Sequence, residues 1–244
     1  MKMFGTGRKG PAVIVALVSL FLLECARSHP INPSQLSEGD FTRLFEATVF
    51  IRVVTAEGGT REGSGFIATR DGWIVTSYHV VGASQDALLI EYANGKVSSA
   101  DVVYGWSARD LAVIVPRRPA FIDPLHLGDS GRLEEGEILF ACGIPLGLGR
   151  TLTRGTVEGR SAFESDRYIV WEGILADGVS YPGDSGGPVV NDRGKVVGLH
   201  LGSVAGRRRA VIPSTLIRRT LVEAQVRAEI RRRQRALESA ALTY

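Results

Sequence analysis

The stretch Tyr181-Pro182-Gly183-Asp184-Ser185-Gly186-Gly187-Pro188 has residue types and spacing suited to nucleophilic chemistry. A serine hydroxyl attacks a carbonyl only when a base takes its proton, and the oxyanion that forms needs preorganised donors. Glycine at 183 accepts dihedrals that a Cβ would forbid. The turn can therefore aim the amides of Gly183 and Ser185, with Asp184 between them, at one point. Gly186 and Gly187 let the chain pass close beside a substrate. The base must come from elsewhere. Beyond residue 28 the histidines are His29, His79, His126 and His200. His79 ends the run Ile74-Val75-Thr76-Ser77-Tyr78-His79, where a turn would expose its ring. A carboxylate must orient that ring from a largely buried position. Asp110 directly precedes the apolar run Leu111-Ala112-Val113-Ile114-Val115, where a carboxylate is costly without a partner. Asp86, Asp101 and Asp123 lie in more polar or turn-like sequence, so Asp110 is the better candidate.

His79 and Asp110 are 31 residues apart, and Asp110 and Ser185 are 75 apart, so only a tertiary fold can bring the three together. Short β-type runs are expected at 49–54, 65–68, 73–76, 87–92, 97–103 and 111–115. A second set is expected at 138–142, 152–157, 168–171, 189–190, 196–199 and 210–212. Turn signals separate them: Glu57-Gly58-Gly59, Arg70-Asp71-Gly72 and Asn94-Gly95, the last a strong hairpin signal. Residues 116–124 read as a crossing between two halves, 45–116 and 125–213. Evenly spaced short strands with glycine turns point to a sandwich or barrel, and no βαβ alternation is present. Residues 41–45 predict a short helix. From Ser214, a candidate N-cap, Leu216, Ile217, Leu221, Val222, Val226, Ile230 and Leu237 recur at helical spacing among arginines. This pattern predicts a terminal helix over 214–244, docked by its apolar stripe.

Composition sets the bounds. Hydrophobic residues at 44% and charged residues at 23% exclude a disordered chain, and 29 glycines favour an all-β fold with many turns. The net charge of +3 conceals an asymmetry. Residues 207–244 carry ten arginines and three acids, and residues 1–28 carry four bases and one acid, which leaves the remainder at net −7. An acidic body with a basic tail is not the footprint of a nucleic-acid groove. Arg231-Arg232-Arg233-Gln234-Arg235 reads as a solvated helix face, with contact to an anionic membrane or nucleic acid as the alternative.

Lys2, Arg8 and Lys9 precede an apolar stretch at 12–23, the pattern of a signal peptide over 1–28, with Ala26 and Ser28 at the small-residue positions. An uncleaved membrane anchor stays open, because Glu24 and Arg27 lie nearby. Residues 29–44 then form a linker. After cleavage Cys142 would be the only cysteine, so no intramolecular disulfide is expected, and its apolar surroundings mark it as core. The histidines are scattered, so no metal and no other cofactor is expected. Gly147-Leu148-Gly149 lacks the strand–glycine–helix context of a nucleotide loop.

The order His, Asp, Ser and several further motifs give the chain a specific resemblance. These motifs are Gly63-Ser64-Gly65-Phe66-Ile67, Asp71-Gly72-Trp73 running on to Val81, Asp110-Leu111-Ala112-Val113, Leu127-Gly128-Asp129-Ser130, Gly143-Ile144-Pro145, Thr153-Arg154-Gly155-Thr156-Val157 and the serine loop. Over about residues 45–214 the chain resembles the trypsin-like serine peptidases, most of all the protease domain of the HtrA/Deg family. The resemblance implies an all-β, chymotrypsin-like pair of six-stranded barrels followed here by a C-terminal helix. It also implies His79 as general base, Asp110 as its orienter and Ser185 as nucleophile. Oxyanion donors would be the amides of Gly183, Asp184 and Ser185. Val179, six residues before the nucleophile, would lie at the base of the primary pocket and favour a small or medium apolar side chain. Gly198, Leu199 and His200 would bind substrate backbone by β-addition, with His200 either narrowing the pocket or lying at the surface.

Two departures stand out. An arginine-rich helix follows where the family usually carries a PDZ domain. Asp184 replaces the family's usual asparagine and, with no activation-cleavage sequence near residue 45, needs an internal partner. The expected function is hydrolysis of exported, unfolded or damaged polypeptides outside the cytoplasm, in the periplasm or a similar compartment. A homotrimer and membrane attachment through the N-terminal segment are further expectations. The alternative is a quiescent protease-fold binding or chaperone-like module.

Overall fold

Runs of aliphatic and β-branched residues broken by glycine turns close into two barrels, each of six antiparallel strands, in a computed structural model that describes residues 36–82, 87–165, 168–204 and 208–241. The signal-type segment 1–28, linker residues 29–35 including His29, and Asp86 lie outside the described residues. The first barrel comprises β1 (Thr48–Val54), β2 (Thr60–Ile67), β3 (Ile74–Ser77), β4 (Ala87–Glu91), β5 (Val97–Trp106) and β6 (Leu111–Pro116). Its order is β1-β2-β3-β6-β5-β4, and β4 pairs back onto β1. The second comprises β7 (Ile138–Gly143), β8 (Thr151–Glu164), β9 (Ile169–Asp177), β10 (Pro188–Asn191), β11 (Val196–Val204) and β12 (Arg208–Pro213). Its order is β10-β11-β12-β9-β8-β7, and β10 pairs onto β7. Closure leaves strand edges open only towards the barrel ends, as on β11 beyond Leu199. This is the chymotrypsin-like architecture that the family resemblance implied, within the sandwich-or-barrel class that the strand pattern allowed.

Each barrel is filled by alternate residues of its strands. In the second, Leu139, Ala141, Val157, Ile174, Ala176, Val189, Val197 and Val211 form one buried cluster. In the first, Ile51, Val53, Ile67, Ile74, Ile90 and Ile114 share one face by register and are fully or almost fully buried. Three α-helices complete the described chain: α1 (Glu38–Ala47), α2 (Tyr78–Val81) and α3 (Ser214–Ala241). The Ser37 hydroxyl caps α1 by accepting the Asp40 amide. That cap starts the helix three residues before the predicted 41–45.

Helix α3 departs from expectation in two ways. The Ser214 hydroxyl accepts from the Ser130 amide and donates to the Gly128 carbonyl, each at 3.0 Å, so it fastens the helix start to the 128–130 segment. The apolar stripe is also only partly docked. Ile217, Leu221 and Ala224 are buried, whereas Val222, Val226, Ile230 and Leu237 are exposed. The docked turns lie against β5, where Tyr104 donates to the Glu223 carboxylate, Arg227 covers the Tyr104 ring and Arg219 covers the Trp106 ring. Beyond these contacts every side chain from Ile230 to Ser239 is exposed. Helical periodicity marked which residues share a stripe, but it did not mark where the barrel surface ends.

Truncating Ile217 to Ala removes buried volume beneath the helix and should cost about 2–4 kcal/mol of unfolding free energy. The same change at exposed Ile230 should stay within about 0.5 kcal/mol. Urea denaturation of the two variants checks the extent of docking, and equal losses would contradict it.

Candidate active site

The two short elements that carry His79 and Asp110 are locked together through backbone as well as side chain. Strand β3 ends at Ser77, and the single turn of α2 follows at once, which projects His79 from the end of the first barrel. Asp110 ends the 3₁₀ turn Ser107–Arg109 with φ 53°, a left-handed conformation that aspartate tolerates better than most residues. There the Tyr78 amide donates to the Asp110 carbonyl at 3.1 Å. The His79 amide donates to Asp110 Oδ1 at 2.7 Å, and His79 Nδ1 lies 2.7 Å from Asp110 Oδ2. The carboxylate is 1% exposed while the His79 side chain keeps 35% of its surface. Both carboxylate oxygens are engaged by one histidine, so ring position and tautomer are set together. Nδ1 carries the proton towards the carboxylate, and Nε2 is left as the acceptor.

Ser185 lies in the loop before β10. Gly183 has φ 102°, and a Cβ there would sit 2.7 Å from the Ile144 carbonyl, so both dihedral and space require glycine. The first barrel holds this loop through Ser64 of β2. The Ser64 amide donates to the Ser185 carbonyl at 2.8 Å, and its hydroxyl donates to the Gly183 carbonyl at 2.7 Å. The same hydroxyl accepts the Ile144 amide at 2.9 Å. Next to it, a Cβ on Gly63 would lie 2.6 Å from the Val80 side chain and 3.0 Å from the Ser185 carbonyl. The His79 turn and the serine loop thus meet across one residue of β2. The Ser185 hydroxyl donates to the Leu201 carbonyl at 3.3 Å.

The remaining predicted residues separate on inspection. The Asp184 amide donates to the Tyr181 carbonyl, so it is occupied. The amides of Gly183 and Ser185 have no acceptor among the described residues, and they alone of the three predicted donors are free. The Asp184 carboxylate accepts the Tyr181 amide at 2.8 Å, which supplies the internal partner that the sequence required. Burial pushes its carboxyl up to about 6, against the Tyr181 hydrogen bond and the nearby Arg209 charge.

Gly198 and Leu199 are paired on both sides, to β10 and to β12, so they cannot take an added strand. His200 pairs with Val211, and its amide and carbonyl are bonded to Gly187 and Gly186. The backbone available for β-addition begins one residue later, at Leu201, because β10 ends opposite Leu199. His200 is not at the surface: it is 2% exposed, and burial, then Arg209, pushes its imidazole down to about 3. Cys142 is buried, and desolvation pushes its thiol up to about 12, which leaves it unreactive.

Sequence reasoning missed Ser64 and Arg209. Ser64 stood within a quoted motif without a role, because three of its bonds reach residues about 80 or more positions away. Arg209 was counted with the basic tail, yet it is the bulkiest fully buried side chain among the described residues. The available signal was strand alternation, which puts Arg209 on the same face as Val211.

The family described as "Trypsin-like peptidase domain" matches residues 63–199. A serine protease HTRA1B of Danio rerio is 34% identical over 217 residues, covering 83% of this chain and 45% of the relative. A probable periplasmic serine endoprotease, DegP-like, of Hahella chejuensis is 33% identical over 196 residues, covering 79% and 40%. The chain therefore spans less than half the length of these relatives. Among solved structures, a serine endoprotease from Yersinia pestis superposes with a TM-score of 0.67 at 23% identity, over 80% of this chain and 67% of that one. An HtrA-type protease solved with a tripeptide gives the same score at 22% identity, over 75% and 61%. At these identities the two structures speak to the fold.

The buried pair Asp184 and His200 should leave opposing marks on stability. Between about 3.8 and 6 the folded chain holds a proton on Asp184 that the unfolded chain releases, so this contribution is lost as pH rises through about 6. His200 stays neutral down to about 3 while the unfolded imidazole protonates below 6.5, so its contribution is lost as pH falls. The two slopes cancel near pH 5. In Asp184→Asn only the histidine slope remains, and unfolding free energy should climb with pH by about 1.4 kcal/mol per unit more than in the parent. Urea denaturation from pH 4.5 to 6 reads this slope, and parallel profiles would refute the assignment.

Proposed function

The chain belongs to the trypsin-like peptidase family, and on that premise we propose that it is a serine endopeptidase in which Ser185, His79 and Asp110 carry out acyl transfer. The observation that carries this reading is the double grip of the buried Asp110 carboxylate on His79, through ring Nδ1 and backbone amide at 2.7 Å each. A solvated surface pair would not need to orient one imidazole so completely. His79 Nε2 takes the Ser185 proton as Oγ attacks the substrate carbonyl. The amides of Gly183 and Ser185 hold the oxyanion, and the imidazolium returns its proton to the leaving amine. Water then repeats the sequence in reverse to release the acyl group. Substrate backbone adds along β11 from Leu201 onward, where the strand has an open side.

The substrates we propose are exported polypeptides in unfolded or damaged form, cleaved outside the cytoplasm. This rests on the signal-type N-terminus and on the periplasmic designation of the DegP-like relative. The hydrogen bond from Ser185 to the Leu201 carbonyl supports a second reading, a resting state in which the hydroxyl is turned from its base and the protein binds without cleaving.

Stoichiometric labelling of Ser185 by a fluorophosphonate is expected if the three groups act together, and absence of labelling under every condition would establish the quiescent reading. Ser185→Ala should abolish casein cleavage while the folded signal in circular dichroism is kept. Asp110→Asn, which presents the wrong partner to Nδ1, should lower turnover by roughly three to four orders of magnitude. Undiminished cleavage by either variant would dismiss the mechanism.

A further inference from the structure

Arg209 lies on β12 beneath the serine loop and is 1% exposed. A guanidinium does not give up its proton under any physiological condition, so this is a buried positive charge. One of its nitrogens, Nη2, donates to the Val179 carbonyl at 3.0 Å. Nε and Nη1 have no hydrogen-bond partner. Two carboxylates influence it, those of Asp184 and Asp177, but neither forms an ion pair with it. The Asp184 carboxylate accepts the Tyr181 amide, and Asp177 Oδ1 accepts from the amide and hydroxyl of Thr156. The fold therefore surrounds a permanent cation with distant negative charge while Nε and Nη1, on opposite edges of the guanidinium, stay uncommitted. Burying a charge is costly unless it is paired, and the fork that suits a carboxylate joins Nε to Nη2, the nitrogen now held by the Val179 carbonyl.

The surroundings say where such a carboxylate would come from. Val179 meets Arg209 through its carbonyl, at the position that the family resemblance puts at the base of the primary pocket. Gly178, at φ 116°, makes room for the guanidinium, since a Cβ there would lie 2.3 Å from Nη2. His200 is 2% exposed, its two ring nitrogens are also without partners, and its backbone is bonded to Gly186 and Gly187 directly behind Ser185. A neutral imidazole there offers one further N–H. On β11, Ser203 is the register partner of Arg209, and Gly202 beside it has open space where a side chain would stand.

Resting on the peptidase reading above, we propose that Arg209 and His200 form a carboxylate-binding site at the base of the primary substrate pocket, so that the protein cleaves after acidic residues, glutamate foremost. The apolar preference expected from Val179 alone does not survive a buried guanidinium at the same place. An apolar side chain would leave the donors unpaired, and a lysine or arginine would meet like charge. Because the 178–182 segment covers the guanidinium, a carboxylate reaches it by replacing the Val179 carbonyl as acceptor. Acidic substrates therefore also open the pocket they occupy.

The test uses the full chain and one set of peptides that differ only at the residue before the scissile bond, which is Glu, Gln, Val or Lys. Calorimetry on Ser185→Ala should show the Glu peptide binding at least roughly tenfold more tightly than its Gln isostere, with Lys weakest. Arg209→Met should erase the Glu over Gln ratio, and Arg209→Lys should keep part of it. Melting temperatures establish that these variants are folded, and the Glu over Gln comparison in Ser185→Ala needs no change at Arg209. Equal binding of Glu and Gln peptides, tighter binding of Val, no binding of the Glu peptide at millimolar concentration, or a ratio that persists in Arg209→Met would each overturn the site. Cleavage of the same set by the parent chain separates the two claims. Glu-selective binding without cleavage refutes the peptidase reading and keeps the anion site. Efficient cleavage without Glu selectivity does the reverse.

Discussion

Ser64 is a small residue on β2 of the first barrel, and three of its hydrogen bonds, through its amide and hydroxyl, cross to the second. Through them the Ser185 and Gly183 carbonyls and the Ile144 amide are fixed relative to β2, and β2 is the strand whose Gly63 touches the His79 turn. The base and the nucleophile belong to different barrels. Their relation therefore depends on a rigid connection between barrels rather than on either barrel alone. A buried hydroxyl that is both donor and acceptor provides that rigidity in a fixed direction, which apolar packing across the same gap would not. The Thr76 hydroxyl reinforces it by donating to the Ser64 carbonyl at 2.7 Å.

Below that junction the second barrel departs from an apolar interior. Asp184, His200 and Arg209 are all buried within the same region, yet they are not paired side chain to side chain. Desolvation moves the acid and the imidazole in opposite directions, each towards its neutral form, while arginine has no neutral form to adopt. Such an arrangement lowers stability relative to an apolar filling of equal volume. Its location next to the serine loop is what the proposed role in substrate recognition rests on.

The C-terminal helix uses its first turns to cover β5 and then leaves the surface. Its docked part combines three buried apolar or small side chains with ring contacts from arginines, so the positive charge there also packs. The projecting turns carry ion pairs such as Arg232 and Arg233 with Glu229, which are exposed and contribute little to stability.

What the sequence determined by itself was set by short-range physics. Short runs of β-forming residues between turn signals located all twelve strands, because strand propensity and turn chemistry act between near neighbours. The glycine spacing around Ser185 announced a turn that only glycine could make, and an aspartate before an apolar strand announced a carboxylate in need of a partner. Other features were decided by tertiary structure alone. The edges of Gly198 and Leu199 are closed because β10 lies on them, the amide of Asp184 is taken by Tyr181, and Arg209 points inward although its neighbours in sequence form a basic run. These facts concern which distant surface covers a residue. Solvation and strand pairing are properties of the neighbourhood in space, and the same local pattern is compatible with a solvated or a buried arginine until the barrel closes around it.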